Sequence, residues 1–327
     1  MTVTALPPAA ATSASKQAQD LPRYDIGDRV FKAVTLAFAL SILAIVLAIA
    51  WQLWRNSALA RHAFGWSFLF KQIWDPVAEN FGALPFIFGT LVSSAISLVI
   101  AVPLGVGVAI FLAELAPRRI SDACSFLIEL LAAIPSVVYG LIGIFVLVPF
   151  MRVYAQPFLI KTLGWCPLFR GPAYGVGMLT AGIVLAIMIV PFIATISREV
   201  LMSVPLPLKE AALALGATHW EVVTTSTLPY ARSGIIGSIF LALGRALGET
   251  MAVTMVIGNR PEVAASLLAP GYTMAAVLAN EFTEATSDLY VHTLIEVGLV
   301  LFAITIIVNG IARWILMRTT IASGGRA

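Results

Sequence analysis

The sequence predicts an all-α integral membrane protein of six transmembrane helices, with both termini on the cytosolic side. Three observations carry that prediction. Of 327 residues, 60% are hydrophobic and only 11% charged, against roughly 25% charged in a soluble protein. Runs such as 33–51, 90–113 and 178–196 carry no charge, and a bilayer-spanning helix needs about 20 apolar residues. Lys and Arg are also shared unevenly between alternate loops, which sets orientation.

Residues 1–22 are rich in Ala, Ser, Thr and Pro and lack periodicity. They read as a disordered cytosolic tail, without the basic start and apolar run of a signal peptide. Spans are expected at 33–54, 84–113, 125–150, 178–198, 234–258 and 293–316. The chain then divides into a first span with its outer aromatic-rich loop (23–83), a core of the remaining spans (84–316) containing an inner loop at 199–233, and a cytosolic tail (317–327). Pro103, Pro135 and Pro191 fall within spans, where neighbouring helices can satisfy the freed backbone groups. Gly105, Gly107, Gly234, Gly237 and Gly244 would let helices approach closely. With the N-terminus inside, twelve of the 20 Lys and Arg residues lie on inner segments, seven on outer loops and Arg245 within a span. That bias places the 199–233 loop on the cytosolic face. Phe64, Trp66, Phe68, Phe70 and Trp74 in the first outer loop read as headgroup-level anchors or, alternatively, as a docking surface. Cys124 and Cys166 flank one span on opposite sides, so no disulfide is expected.

The 199–233 loop has a legible local grammar. Pro207 suits the first turn of a short helix, and Lys209 to Leu215 make about two turns of mostly small side chains. Gly216 can close that helix in a left-handed conformation. Thr218 and Glu221 have capping-box spacing for a second short helix, which Pro229 is expected to end. Two stubby helices at the membrane surface suit either docking to a soluble partner or a plain amphipathic connector.

Span five places Arg245 near its centre, at a cost of at least ~2.5–3.5 kcal/mol on insertion scales. Glu249 follows four residues later, on the same face of a continuous helix. The pair either locks helix packing or lines a route for a charged solute. An apolar pair would pack as well or better, and a guanidinium is a planar fork of donors suited to oxyanions.

Glu210-Ala211-Ala212, then Gly216, then Leu228-Pro229 resembles the EAA loop of ABC-importer permeases, with Ser226 standing where that family usually has isoleucine. The words beginning at Phe81 (FGALPFIFGTL), Pro135 (PSVVYGL) and Gly244 (GRALGETMAV) resemble the phosphate-specific members, and among them the C-type permease, from about residue 28 to 313. The resemblance implies the type I importer permease fold in a bacterial inner membrane. It implies a homologous A-type permease beside this chain, two copies of a cytosolic ATPase and an external phosphate-binding protein. It assigns ATPase coupling to Glu210, Ala211, Ala212, Gly216, Leu228 and Pro229, and passage of inorganic phosphate to Arg245 and Glu249. No cofactor is expected on this chain, because it has no GxxxxGK[ST] phosphate loop; ATP and Mg belong to the ATPase. Lipid is the surrounding partner, and no nucleic acid is expected. The alternatives are a permease for another oxyanion or a phosphonate, and a membrane-embedded enzyme acting on lipid-linked substrates. The enzyme lacks an acid–base pair, since arginine stays charged.

Other polar residues carry less. Glu114 and Glu129 read as boundary residues at inner span ends. His62, His219 and His292 have no metal or catalytic spacing, and Asn309 reads as a helix-to-helix hydrogen bond. Ser136 and Tyr139 serve either a passage or a kinked, packed helix.

Overall fold

The computed structural model describes residues 26–324, so the expected tail at 1–22 lies outside the described residues. Contacts divide the chain into two units, 1–52 and 53–327. Helix α1 (Ile26–Asn56) starts earlier than expected, with Asp28 in its first turn and Arg55 in its last, each at the favourable end of the helix dipole. Its apolar side chains, among them Phe38, Ile42 and Leu47, are exposed, as suits lipid contact.

The second unit begins with a short helix, α2 (Ala58–Phe64), followed by the long α3 (Leu84–Ile110), which carries Pro103 without breaking. A π-turn at Phe111–Leu115 closes α3. The third expected span is corrected. Helix α4 (Arg118–Ala133) has 16 residues, too short to cross, and the chain turns extended at Ile134. The cause is Pro135, which disfavours helical geometry in the residue before it. The span proper is Ser136–Leu163, built from α5 (Ser136–Ile142), α6 (Val148–Phe150) and α7 (Gln156–Leu163) joined by π-turns.

Helix α8 (Met178–Met202) is the most deeply buried span and packs against α3 and α4. The 199–233 loop forms α9 (Leu206–Ala214) and α10 (His219–Val222). Where the fifth span is expected, α11 (Leu228–Leu247) is followed by α12 (Met251–Ile257), bent 62° at the break between them. After α13 (Met274–Glu281), α14 runs from Asp288 to Gly324. The segment expected to be a tail from 317 is therefore helical as far as Gly324. Five helices are long and apolar enough to cross a membrane, or six if the bent pair is one span.

The second unit stacks three packed layers along its length. At one end, Phe68, Phe81, Phe86, Tyr272, Met274, Tyr290 and Leu294 join the 57–83 and 259–287 loops to α3 and α14. This corrects the aromatic belt: Phe68 is fully buried, and Phe64 and Trp74 pack edge-on to Phe81, whereas Trp66 and Phe70 remain exposed. Glu281 is tied in, accepting from Trp74 Nε1 at 2.7 Å and from the Tyr290 hydroxyl at 2.5 Å. Burial pushes the Tyr272 hydroxyl above its ordinary range, so it stays protonated beside Asn280. The middle layer centres on α8, with Leu185, Ile189 and Ile193 against Ala242, Ala246, Val253 and Val256. The far layer joins Ala109, Leu201, Val204, Ala231 and Ile235.

Apolar side chains gain little from leaving lipid for one another, so close backbone approach matters more. A Cβ at Gly105 would lie 2.9 Å from Ile193, and one at Gly234 would lie 2.4 Å from Val200. Gly107 and Gly237 face open space and Gly244 has only loose neighbours, so only part of the expected small-residue packing is made. The loops expected outside gather at the aromatic end: Leu267 N–H donates to the Leu168 carbonyl at 2.8 Å, and Ala83 N–H to that of Phe68 at 2.7 Å. The 199–233 loop lies at the other end.

Candidate functional site

The inner loop folds largely as its residues dictate. Pro207 sits in the first turn of α9, and Gly216 takes φ +87°, the left-handed geometry that ends the helix. Ala217 N–H then reaches back to the Ala212 carbonyl at 3.2 Å, satisfying an otherwise orphaned group. Thr218 and Glu221 form a complete capping box at the start of α10. Glu210, Ala211 and Gly216 are exposed, and so are Leu206, Leu213, Leu215 and Trp220. Exposed apolar side chains grouped on a protruding knuckle make a surface suited to being covered.

Pro229 does not end the second helix, contrary to expectation. Helix α10 passes through a π-turn at Val223–Thr227 into α11, with Pro229 in the first turn of α11. The wider turn accommodates a residue that has no N–H and crowds the preceding turn. The motif is thereby divided between two places. Glu210, Ala211, Ala212 and Gly216 lie on the knuckle, while Leu228 and Pro229 line an open groove of about 350 Å³ with Val106, Arg232, Ile235 and Ile236.

The expected Arg245–Glu249 pair is not formed. The helix ends at Leu247, Gly248 leaves helical geometry at φ −94° and ψ 0°, and the next helix starts only at Met251. Glu249 instead turns its carboxylate to the start of α12, where Oε1 accepts the Ala252 N–H at 3.2 Å. Same-face placement needs an unbroken helix, and this one bends between the two residues. Arg245 is exposed on the chain, and its guanidinium carbon lies 6.0 Å from the Phe192 ring centroid. Phe192 is midway along α8, so Arg245 sits near mid-depth. An irregular backbone at that depth is tolerated only against protein or a water-filled cavity.

The PSVVYGL stretch holds the break in place. A Cβ at Gly140 would lie 2.5 Å from the Met255 sulfur and 3.1 Å from Ala252 Cα, so α5 and α12 touch backbone to backbone. Tyr139 is buried and its hydroxyl donates to the Leu131 carbonyl at 2.6 Å, spanning the break at Ile134. This favours the packing reading of Tyr139. Asn309 donates to the Thr305 carbonyl within its own helix at 2.9 Å, in place of the expected contact between helices.

Two features escaped the sequence reading. Glu114 pairs with Lys209 at 2.7 Å, with both side chains mostly buried. Its position at a span end was visible, but a partner 95 residues away was not. Glu296 lies buried in α14 with no partner for Oε2 among the described residues; an acid within the apolar run of the last span was the available signal. Among the described residues, no three His, Cys, Asp or Glu side chains come close enough to hold a metal.

An apolar helical bundle with a cation at mid-depth and an exposed two-helix knuckle at one end is compatible with a membrane transport component. The chain belongs to the binding-protein-dependent transport system inner membrane component family, whose sequence profile matches residues 105–321. It is 49% identical over 306 residues to the phosphate transport system permease protein PstC of Mesorhizobium japonicum, covering 92% of this chain and 94% of that one. The PstC of Xylella fastidiosa strain Temecula1 is 46% identical across 99% of this chain and 100% of the relative. Among solved structures, a chain of a bacterial ABC transporter involved in import of the acidic polysaccharide alginate is 17% identical. It superposes with a TM-score of 0.50 over 89% of this chain and 99% of that one, a likeness of fold. Family membership makes this a multi-pass inner-membrane permease rather than an enzyme, working with an ATPase and a substrate-binding protein.

Proposed function

We propose that this chain is the C-type permease subunit of an ATP-driven importer that carries inorganic phosphate across the bacterial inner membrane. The observation that carries the reading is the 49% identity, over nearly the whole chain, to a phosphate transport permease. The broken fifth span supplies the chemistry: Arg245 offers fixed donors to an oxyanion at a depth where a charge has few other reasons to be. Because Arg245 is exposed on this chain, the route runs where a homologous A-type permease covers that face. Glu249 shapes the break beside it, capping α12 rather than neutralising the guanidinium.

In this reading the bent pair counts as one span, giving six, with both termini and the 199–233 loop in the cytosol. The knuckle carrying Glu210, Ala211, Ala212 and Gly216 seats in one of two ATPase copies, which bind ATP and Mg. Leu228 and Pro229 support it through the groove at its base. The aromatic layer at the opposite end receives the external phosphate-binding protein.

The test is radiolabelled phosphate uptake in a strain lacking its own importer, complemented by the wild-type chain or by Arg245→Gln with its partner subunits. A contact to a charged donor is worth ~1.5–3 kcal/mol, so uptake by the variant should fall about ten- to a hundredfold while the complex co-purifies intact. Uptake unchanged by the substitution removes Arg245 from the pathway. Uptake by the wild type that excess sulfate or phosphonate abolishes reassigns the substrate.

A further inference from the structure

Helix α9 has no buried residue, so its grip on the bundle is narrow. One anchor stands out. Lys209 Nζ donates to Glu114 Oε1 at 2.7 Å, the one ion pair among the described residues, with side chains 18% and 11% exposed. Lys209 and Glu210 are neighbours in sequence, and successive residues point about 100° apart on a helix. Glu210 is exposed. One side of α9 is thus free for a partner, and the next holds the bundle.

Glu114 lies in the π-turn that closes α3. From there α3 runs unbroken to its other end, ~36 Å from Glu114 to Thr90 at 1.5 Å per residue. At that end it is fastened to the aromatic layer. Thr90 Oγ1 accepts the Met274 N–H at 2.9 Å, and a Cβ at Gly89 would lie 2.2 Å from the Tyr272 carbonyl oxygen. The segment seated there is bonded back to the end of α12: Gly271 N–H donates to the Ile257 carbonyl at 3.1 Å. A chain of stiff contacts therefore leads from Lys209 through α3 to the segment that continues from the broken span.

We propose that the Lys209–Glu114 ion pair is the strut through which motion of the α9 knuckle reaches the aromatic layer and the helix break, with α3 as the rod between them. Lys209 and Glu114 are positioning residues. They touch neither the solute nor the nucleotide, and they set how much of the ATPase's movement the bundle receives. The proposal rests on the transport reading above. A flexible linker at this point would let the knuckle move without α3, whereas a short, mostly buried ion pair holds the two in register.

The test uses the assembled complex with its ATPase in proteoliposomes, comparing Lys209→Met, Glu114→Gln and the exchange Lys209→Glu with Glu114→Lys. The readouts are ATPase co-purification, unstimulated hydrolysis, stimulation by the loaded binding protein, and phosphate taken up per ATP. Each single variant should co-purify and hydrolyse ATP at the unstimulated wild-type rate. Stimulation and uptake per ATP should fall about tenfold, within the usual range of coupling between sites, and the exchange should restore most of both. Three results overturn the strut: wild-type stimulation in the single variants, a loss the exchange does not repair, or loss of ATPase co-purification, which would make the pair a fold element only. A wild-type complex that shows stimulated hydrolysis but takes up no phosphate sinks the substrate assignment instead, and the stimulation ratio still judges the strut.

Discussion

The inner-loop knuckle and the broken fifth span are both interrupted helices, yet they are interrupted for different reasons. In the knuckle each interruption is local. Gly216 stops α9 in a left-handed turn, and the Thr218–Glu221 box starts α10 five residues after Ala214. In the fifth span no local signal of that strength is present. Gly248 has φ −94° and ψ 0°, a geometry open to any residue. The break is held from outside, by α12 lying backbone to backbone on α5 and against α8. Water-facing turns must satisfy their own ends, whereas a turn inside the bundle can borrow its support from neighbours.

The sharpest way to break this contrast is to push α5 and α12 apart. Gly140→Leu places its Cβ within 2.5 Å of the Met255 sulfur and 3.1 Å of Ala252 Cα. Overpacking of this kind costs ~1–3 kcal/mol. The purified complex should melt at a lower temperature, and phosphate uptake should drop as α12 shifts relative to Arg245. An unchanged melting temperature would mean that the break is intrinsic to residues 247–251 and that packing on α5 does not set it.

The same contrast explains what could be read from the sequence. The spans follow from long apolar runs, and the knuckle follows from Pro207, Gly216, Thr218 and Glu221, whose roles depend on residues at most four positions away. The third span lies further along than expected, because Ile134 leaves helical geometry altogether before Pro135. Arg245 was legible as a lone cation in an apolar run, but its relation to Glu249 was not. Whether two residues share a face depends on an unbroken helix between them, and the backbone contact of α12 with Gly140 lies more than a hundred residues away in sequence. The Lys209–Glu114 pair and the burial of Phe68 and Trp74 are likewise tertiary facts.

A middle-sized effect is expected where the knuckle's own grammar is broken. Gly216→Val puts a β-branched residue at φ +87° with no atom within 4 Å of the added Cβ, so the cost is backbone strain alone. That strain is ~1–2 kcal/mol, and it falls on the turn that orients α9. Stimulated ATP hydrolysis should fall while the melting temperature of the bundle stays unchanged. If the bundle melts earlier instead, the knuckle is not the self-contained element described above.

The smallest effect sharpens the contrast furthest, because it isolates one end of one short helix. Thr218→Ala removes the hydroxyl that accepts the Glu221 N–H at 3.4 Å, a long bond. An N-cap threonine is typically worth ~1 kcal/mol, and the length argues for less here. The other half of the box does not need the hydroxyl, since Glu221 Oε2 accepts the backbone N–H of residue 218, at 2.7 Å in the unsubstituted chain. Amide exchange at residues 219–221 should therefore quicken by about two- to fivefold, the range set by a cap worth under ~1 kcal/mol. Exchange across α11 and α12 should not change, because nothing in the box reaches them except through the π-turn at Val223–Thr227. Faster exchange around Arg245 in this variant would show that the π-turn transmits loosening from α10 into the span, and the two interruptions would then be one mechanical element.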